Sequence, residues 1–140
     1  MDNREIIRRF EQMWCEGDHA IANEIMAGNV TFRSSLGVTN SGLDRFIDYI
    51  DGVRKALENF RCELDDMISE GNKIAAKMLF YGKHRNPMFG VEATGKIIKW
   101  DAIALFEIRD GKIQSLWFLG DVDGIRRQLM PEGSEQAGWR

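Results

Sequence analysis

Two carboxylates lie within apolar runs near the C-terminal end of the sequence. Asp121 directly follows the segment LWFLG at 116–120, and Asp101 lies inside the segment IKWDAIALF at 98–106. A buried carboxylate costs roughly several kcal/mol unless it is paired, hydrogen-bonded or protonated. We therefore expect each of these two residues to have either a structural partner or a role in chemistry.

The chemistry that such a residue favours is the removal of a proton from carbon. Apolar walls raise the pKa of a carboxyl group toward working pH and make its carboxylate a stronger base. We predict this catalytic role, in apolar surroundings, for Asp121. The structural alternative is an N-cap, because GDVDG precedes the short helical pattern IRRQL. For Asp101, a catalytic role and a strand residue paired with a surface lysine such as Lys99 both stay open.

Histidine and cysteine are too few and too scattered to predict a metal site. The sequence contains only His19, His84, Cys15 and Cys62, and none of them has the spacing of metal ligands. We predict His84 as a catalytic proton shuttle at the mouth of a cavity. Its structural alternative is a histidine at a strand end that is bonded to a loop carbonyl.

Composition and charge limit the class of partner. The chain has 140 residues, 44% apolar and 10% aromatic, enough for one core and an apolar pocket. A net charge of −3 and the absence of a Lys/Arg run argue against nucleic-acid binding. No apolar run reaches the ~18 residues of a membrane span, and the N-terminal residues lack the apolar core of a signal peptide. We expect a cytoplasmic protein that binds a small apolar molecule.

Hydrophobic periodicity predicts helices first and strands afterwards. Gly17 is expected to end the first helix and Asp18 to cap the second, and RDGK is expected to form a tight hairpin turn. Helices are expected within residues 4–18, 18–26, 41–60 and 123–130. Strands are expected at residues 28–35, 60–68, 73–84, 96–109 and 113–121.

This order indicates an α+β fold, in which three N-terminal helices pack against a curved, mostly antiparallel sheet and enclose an apolar cavity. We place one domain at residues 1–130 and a flexible tail at 131–140. Some aromatic residues must line any such cavity, although each of them also suits the core. The candidates for substrate binding are Trp117, Trp100, Phe80, Phe89 and Tyr81.

Both alternating faces of the segment 100–108 are largely apolar. Helices and a cavity can cover one face of a sheet, and the other face then needs a cover of its own. A second copy of the same sheet would supply it. We therefore predict a homodimer that packs through the sheet.

Four motifs, in this order and spacing, resemble the SnoaL-like polyketide cyclases of the ketosteroid isomerase-like (nuclear transport factor 2-like) superfamily. FEQMWCEGD resembles the opening helix of the family with its Trp-x-x-Gly-Asp turn, and EGNKIAAKMLFYGKHRNPMFGVEATGK resembles its strand, Gly-x-His and Thr-Gly stretch. IALFEIRDGKI and WFLGDVDGIRRQL resemble its closing hairpin and helix. The resemblance covers residues 4–129.

The resemblance implies a cone-shaped, barrel-like domain and a lyase- or isomerase-type reaction. The cyclases of this family catalyse an intramolecular aldol condensation of a polyketide ester without a cofactor, and they form dimers or tetramers through the sheet. Their catalytic aspartate matches Asp121. Asp101 falls on the strand where ketosteroid isomerases keep a protonated acid that stabilises an enolate.

The sequence departs from the family at two positions near the expected cavity. The first strand often carries an inward histidine, and here it carries Arg33, which we predict to face the cavity and hold a substrate carbonyl or a carboxylate. The third helix often ends in Phe-Pro-Asp, and here residues 58–60 read Glu-Asn-Phe. The superfamily also contains isomerases, dehydratases, epoxide hydrolases and non-catalytic binding proteins, which stay as alternatives because fold alone does not choose a function.

Overall fold

The computed structural model describes residues 1–35 and 37–131, and in these residues the chain forms four helices and six strands. From residue 132 onward, the predicted tail lies outside the described residues. In chain order the elements are α1 (Asn3–Glu16), α2 (His19–Ile25), β1 (Met26–Arg33), β2 (Thr39–Ser41), α3 (Leu43–Ala56), β3 (Leu57–Glu70), β4 (Lys73–His84), β5 (Ile97–Arg109), β6 (Lys112–Gly120) and α4 (Val122–Leu129).

The turn between the first two helices forms as predicted. Gly17 ends α1 with a φ of 65°, a left-handed conformation that favours glycine. Asp18 caps α2 by accepting hydrogen bonds from the backbone of Ala20 and Ile21. Across residues 1–35 and 37–131, no helix combines the length and apolarity that crossing a bilayer requires.

The strands form one mixed sheet in the order β2-β1-β6-β5-β4-β3, and its edges do not close into a barrel. The β1–β6 pair is parallel and the other pairs are antiparallel. The α+β prediction is confirmed, and the β3–β4 register shifts between Leu64 and Asp66. The short strand β2 was not predicted, because its three residues, Thr-Asn-Ser, carry no apolar pattern.

Alternation along β4, β5 and the second half of β6, residues 116–119, separates two faces of the sheet. We call the side that packs on the helices the inner face. It carries Phe80, Trp100, Phe106 and Phe118, all buried, and Phe80 lies opposite Trp100 in the β4–β5 register. On the opposite side, the outer face, large apolar side chains are exposed to solvent. These are Ile103, Leu105, Trp117 and Leu119, with exposed fractions of 41%, 49%, 42% and 50%.

The core lies between the inner face and the helices α1 and α3. Phe10 of α1 meets Phe106 edge-on with ring centroids 5.0 Å apart, and Trp14 meets Phe80 in the same way at 5.4 Å. Phe46 of α3 completes the contact with Phe10 at 5.9 Å. Aromatic pairs at these distances add to the free energy of apolar burial, so the helices are held over the sheet by one continuous cluster.

The start of β3 crosses closely over Gly82 on the inner face. A Cβ atom added there would lie 2.8 Å from Leu57 Cβ and 3.2 Å from the Glu58 carbonyl oxygen. Both are closer than a carbon atom can approach without movement of the backbone. Only glycine therefore allows this crossing beside the end of β4.

We expect Gly82→Ala to lower the free energy of unfolding by about 1–3 kcal/mol, because the added methyl overpacks the crossing. Chemical denaturation of the variant measures the change. Gly28→Ala is the matched control, since Gly28 is also a strand glycine and nothing lies within 4 Å of its added Cβ. Equal stability of both variants would contradict the crossing as a tight contact.

Candidate functional site

An apolar cleft of about 370 Å³ opens between α3, the loop after β4, the β5 residue Trp100, and α4. We call it the apolar cleft. Among the described residues, no charged side chain contributes to its lining, so it suits an uncharged ligand with a large apolar surface. The lining residues are Ser35, Tyr49, Gly52, Val53, Ala56, Pro87, Met88, Phe89, Trp100 and Ile125.

Polar groups gather at the Ser35 end of the apolar cleft. The Trp100 side chain is 8% exposed, and its Nε1 is buried without a hydrogen-bond partner in the described part of the chain. The side chain and the backbone of Ser35 lie beside the Tyr49 oxygen. Burial raises the pKa of Tyr49, and Ser35 opposes this shift only partly, so Tyr49 is a neutral phenol at physiological pH.

His84 is fully buried at the end of β4 and does not belong to the lining of the apolar cleft. Its Nδ1 lies 3.0 Å from Thr94 Oγ1 and accepts a hydrogen bond from the Thr94 backbone N–H at 3.2 Å. A ring nitrogen that accepts from an amide is unprotonated, so the neutral ring carries its proton on Nε2. His84 thus holds the loop after β4 through Thr94. This resembles the structural alternative, a strand-end histidine bonded to a loop carbonyl, except that the partners are an amide N–H and a hydroxyl.

Asp121 caps α4. Its Oδ1 accepts a hydrogen bond of 2.9 Å from the backbone N–H of Gly124, and its side chain is exposed. The prediction that apolar walls surround Asp121 is therefore wrong, because the apolar run before it ends at the surface where α4 begins. Asp121 does not line the apolar cleft; together with Asp101 and Lys77 it lines a shallow pocket on the outer side of β5 and β6. Its link to the cleft is through neighbouring residues, because Ile125 in the helix that it caps lines the cleft.

Asp101 points to the outer face, away from the apolar cleft. Its carboxylate is 63% exposed and lies 3.8 Å from Lys77 Nζ, which is bound more closely by Asp65 at 2.5 Å. The hydrogen bond that Lys77 donates to Asp65 is the main cause that raises the pKa of Lys77. The structure thus gives Asp101 a lysine partner, although the partner is Lys77 of the neighbouring strand β4 and not Lys99.

The prediction that Arg33 faces the cavity is wrong. Successive residues of a strand point to opposite faces, and the buried Phe32 takes the inner position. Arg33 therefore lies on the outer side, where its Nη1 donates a hydrogen bond to the Phe118 carbonyl oxygen. Its guanidinium carbon lies 4.9 Å from the centre of the Trp117 ring, a cation–π contact at the surface.

The predicted aromatic walls divide between the two faces of the sheet. Trp100 and Phe89 line the apolar cleft, while Phe80 stacks behind Trp100 with ring centroids 5.4 Å apart. Trp117 and Tyr81 do not reach the cleft, because both lie on the outer face. There the Tyr81 hydroxyl donates a hydrogen bond of 2.8 Å to Glu63 Oε1.

Sequence reasoning missed two polar residues of the apolar cleft. Tyr49 follows Phe46 by three positions, which places it on the same side of α3, so helical spacing could have identified it. Ser35 lies in a turn after β1, and no local pattern marks it. In the residues that the structure describes, no three His, Cys, Asp or Glu side chains are grouped so that they could hold a metal ion.

Comparison with known proteins identifies the family. The family model described as SnoaL-like polyketide cyclase matches residues 4–129. The chain therefore belongs to the SnoaL-like polyketide cyclases, and its structure has the α+β fold of the nuclear transport factor 2-like superfamily.

Two relatives are named as methyl ester cyclases. The chain is 36% identical over 70 residues to the aklanonic acid methyl ester cyclase DnrD of Streptomyces peucetius, a stretch of 50% of this chain and 48% of that protein. It thus spans about half the length of this relative. It is 28% identical over 102 residues to the nogalonic acid methyl ester cyclase of Streptomyces nogalater, 72% of this chain and 76% of that protein.

Solved structures agree on the fold. TsrD of Streptomyces laurentii superimposes with a TM-score of 0.83 at 25% identity, over 92% of this chain and 97% of that chain. IdmH of Streptomyces antibioticus gives a TM-score of 0.83 at 17% identity, over 92% of this chain and 99% of that chain. At such low identity the second likeness shows the fold alone.

We expect Asp121→Ala to lower the free energy of unfolding by about 0.5–2 kcal/mol, because it removes the N-cap of α4. Chemical denaturation measures the change. Asp123→Ala is the control: Asp123 pairs with Arg127 at 3.2 Å in the same helix but is 72% exposed, and such a pair contributes only about 0.3–0.5 kcal/mol. A smaller loss for Asp121→Ala than for Asp123→Ala would show that the cap contributes little.

Proposed function

We propose that the chain is a cofactor-independent, cyclase-like enzyme that binds an apolar polyketide-type carbonyl compound in the apolar cleft and catalyses an intramolecular aldol condensation. The observation that carries the proposal is the cleft itself, with apolar walls and uncharged polar groups at one end. Membership of the SnoaL-like family and similarity to two polyketide methyl ester cyclases support the choice of reaction.

The walls of the apolar cleft favour a flat, uncharged ligand. Trp100 and Phe89 present aromatic surface, and Val53, Met88 and Ile125 present aliphatic surface. Removing apolar ligand surface from water contributes roughly 25 cal/mol per Å², whereas a charged ligand group would be desolvated without a charged partner. A neutral ester with fused or folded rings fits these conditions.

In the proposed reaction Asp121, at the start of the helix whose Ile125 lines the cleft, acts as the base. Its carboxylate takes a proton from the carbon next to a ligand carbonyl, and the C–H electron pair forms an enolate. The enolate carbon then attacks a second carbonyl carbon of the same ligand and forms the ring bond. The resulting alkoxide takes the proton back from Asp121, so atoms and charge balance. One carboxylate oxygen binds Gly124 N–H, and the described residues leave Oδ2 for the proton.

A second candidate function, binding of a small apolar ligand without catalysis, is favoured by a specific observation. Asp121 is exposed and already serves as a helix cap, while Asp101 and Arg33 lie on the opposite face of the sheet. The isomerase, dehydratase and epoxide hydrolase alternatives would use the same carboxylates as the cyclase and share its requirement for one that reaches the ligand. No carboxylate lines the apolar cleft within residues 1–35 and 37–131.

We expect Asp121→Asn to abolish most of the turnover of aklanonic or nogalonic acid methyl ester while leaving folding and ligand binding nearly intact. Asparagine keeps the cap through its side-chain oxygen but cannot take a proton. Chromatography of the reaction products and a binding titration measure the two effects, and Asp123→Asn is the control. Binding without turnover by the unmodified protein would instead establish the second candidate, and failure of both esters to bind would contradict both candidates for this ligand class.

We also propose that a second copy of the chain covers the outer face. Ile103, Leu105, Trp117 and Leu119 lie on the adjacent strands β5 and β6, and each is at least 41% exposed. A contiguous exposed apolar patch of this kind marks an interaction surface. The charged cluster of Lys77 with Asp65 and Asp101 borders the patch, and a two-fold axis would bring the same self-complementary surface from both copies together.

We expect the protein to sediment at micromolar concentration with at least twice the chain mass of 16.1 kDa. Leu105→Lys places a charge in the middle of the outer face and should yield monomer. Val38→Lys is the matched control, because Val38 is 54% exposed but lies in the turn before β2. A monomeric unmodified protein would disprove the assembly.

A further inference from the structure

We infer that the Ser35 end of the apolar cleft is a subsite for a ligand carbonyl or enolate oxygen, formed by the indole N–H of Trp100 and the hydroxyl of Tyr49, with Ser35 beside the hydroxyl. This inference rests on the apolar cleft being the ligand site of the proposed function. It adds the atoms that orient the ligand, none of which is a predicted catalytic residue.

The first observation concerns the indole N–H of Trp100, a buried hydrogen-bond donor. An indole N–H can only donate a hydrogen bond, and a buried polar group without a partner is unfavourable and uncommon. Trp100 Nε1 is buried without a partner in the described residues, as are Trp14 Nε1 and His84 Nε2. Of these three groups, only Trp100 lines the apolar cleft, so a ligand acceptor in the cleft is the partner that it can gain.

The second observation identifies which edge of the Trp100 indole faces Ser35. A Cβ atom added to Gly120 would lie 2.9 Å from Ser35 Oγ and 3.5 Å from Trp100 Cδ1. Cδ1 is bonded to Nε1 in the indole ring, so the nitrogen-bearing edge of Trp100 is turned toward Ser35. Gly120 thus allows Ser35 to pack closely against the strand, and any larger side chain there would displace Ser35.

The third observation is the arrangement of Tyr49 and Ser35. Both residues line the apolar cleft, and the side chain and backbone of Ser35 lie close enough to the Tyr49 oxygen to oppose part of the rise in its pKa. The Tyr49 hydroxyl therefore lies at the same end of the cleft as Ser35. Because burial raises the pKa of Tyr49, the hydroxyl proton is retained.

Two neutral donors at one end of an uncharged cleft select an oxygen that only accepts hydrogen bonds. A ketone or ester carbonyl meets this requirement, and its enolate meets it better, because hydrogen bonds to a charged oxygen are stronger. Fixed donors aimed at an oxygen that gains charge during reaction are the main source of electrostatic stabilisation in such sites. The subsite would therefore both orient the ligand and favour enolate formation.

The test compares two probes of the same shape. 2-Acetylnaphthalene carries a carbonyl oxygen, and 2-isopropenylnaphthalene has a CH₂ group in its place. We expect the unmodified protein to prefer the ketone in fluorescence titrations. Trp100→Phe and Tyr49→Phe should each reduce the ratio of the two affinities about 2- to 10-fold, the usual effect of one neutral hydrogen bond. The infrared band of the bound ketone should shift less in both variants.

Trp117→Phe is the matched control, because it makes the same change on the outer face and should leave the ratio unchanged. Gly120→Ala tests the geometry independently: its methyl should lower the affinity of the ketone more than that of the alkene, with both donors still present. If Trp100→Phe does not fold, as judged by circular dichroism, the Tyr49→Phe and Gly120→Ala variants decide the question.

The experiment distinguishes failure of the subsite from failure of the apolar cleft as the ligand site. Equal affinity of the unmodified protein for both probes, or a ratio that survives both donor substitutions, would overturn the subsite and leave the apolar cleft as the ligand site. Absence of binding of either probe would overturn the cleft as a ligand site, and the subsite with it.

Discussion

The alternation of side chains across β4, β5 and β6 is the constraint on which the rest of this structure depends. Because the period of a strand is two residues, the register that buries Phe80, Trp100 and Phe118 under the helices also turns their neighbours outward. The same pleat therefore builds the core, places Trp100 at the apolar cleft and exposes an apolar outer face. A shift of one residue would exchange all three features at once, so core, cleft and apolar outer face are not independent.

Asp121 lies at the junction between β6 and α4. The last strand must end and α4 must begin, and a carboxylate at that point satisfies the free backbone N–H of Gly124. The same residue lines a shallow outer pocket with Asp101 and Lys77. The cap holds its carboxylate in one orientation, with Oδ2 also turned toward Gly124, so the catalytic role of the proposed function requires this side chain to turn toward the ligand. The cost is exposure to water, which weakens a base compared with a buried one.

The apolar cleft has no charged side chain in its described lining, unlike a site that binds its ligand through ion pairs. Its polar groups are an indole N–H and hydroxyls, and the charged residues that the sequence suggested for it lie on the other side of the sheet, where Asp101 meets Lys77 and Arg33 covers Trp117. Neutral donors in an apolar site avoid the large desolvation cost of buried ions. They still stabilise an oxygen that becomes negative, because little water competes with them. Recognition in this cleft thus depends on shape and on a few hydrogen bonds.

The sequence by itself determined the local features. The period of α1, the left-handed Gly17, the cap at Asp18, the bounds of β4 and the hairpin at Asp110 and Gly111, where both φ angles are positive, follow from interactions within a few residues. Only the tertiary structure decided which face each strand residue occupies. Whether Asp101 meets Lys77, and whether Ser35 reaches Tyr49 and Trp100, depends on strand register and on the packing of α3 over the sheet. These are relations between distant segments, set by the burial of the whole aromatic core, and no local pattern contains them.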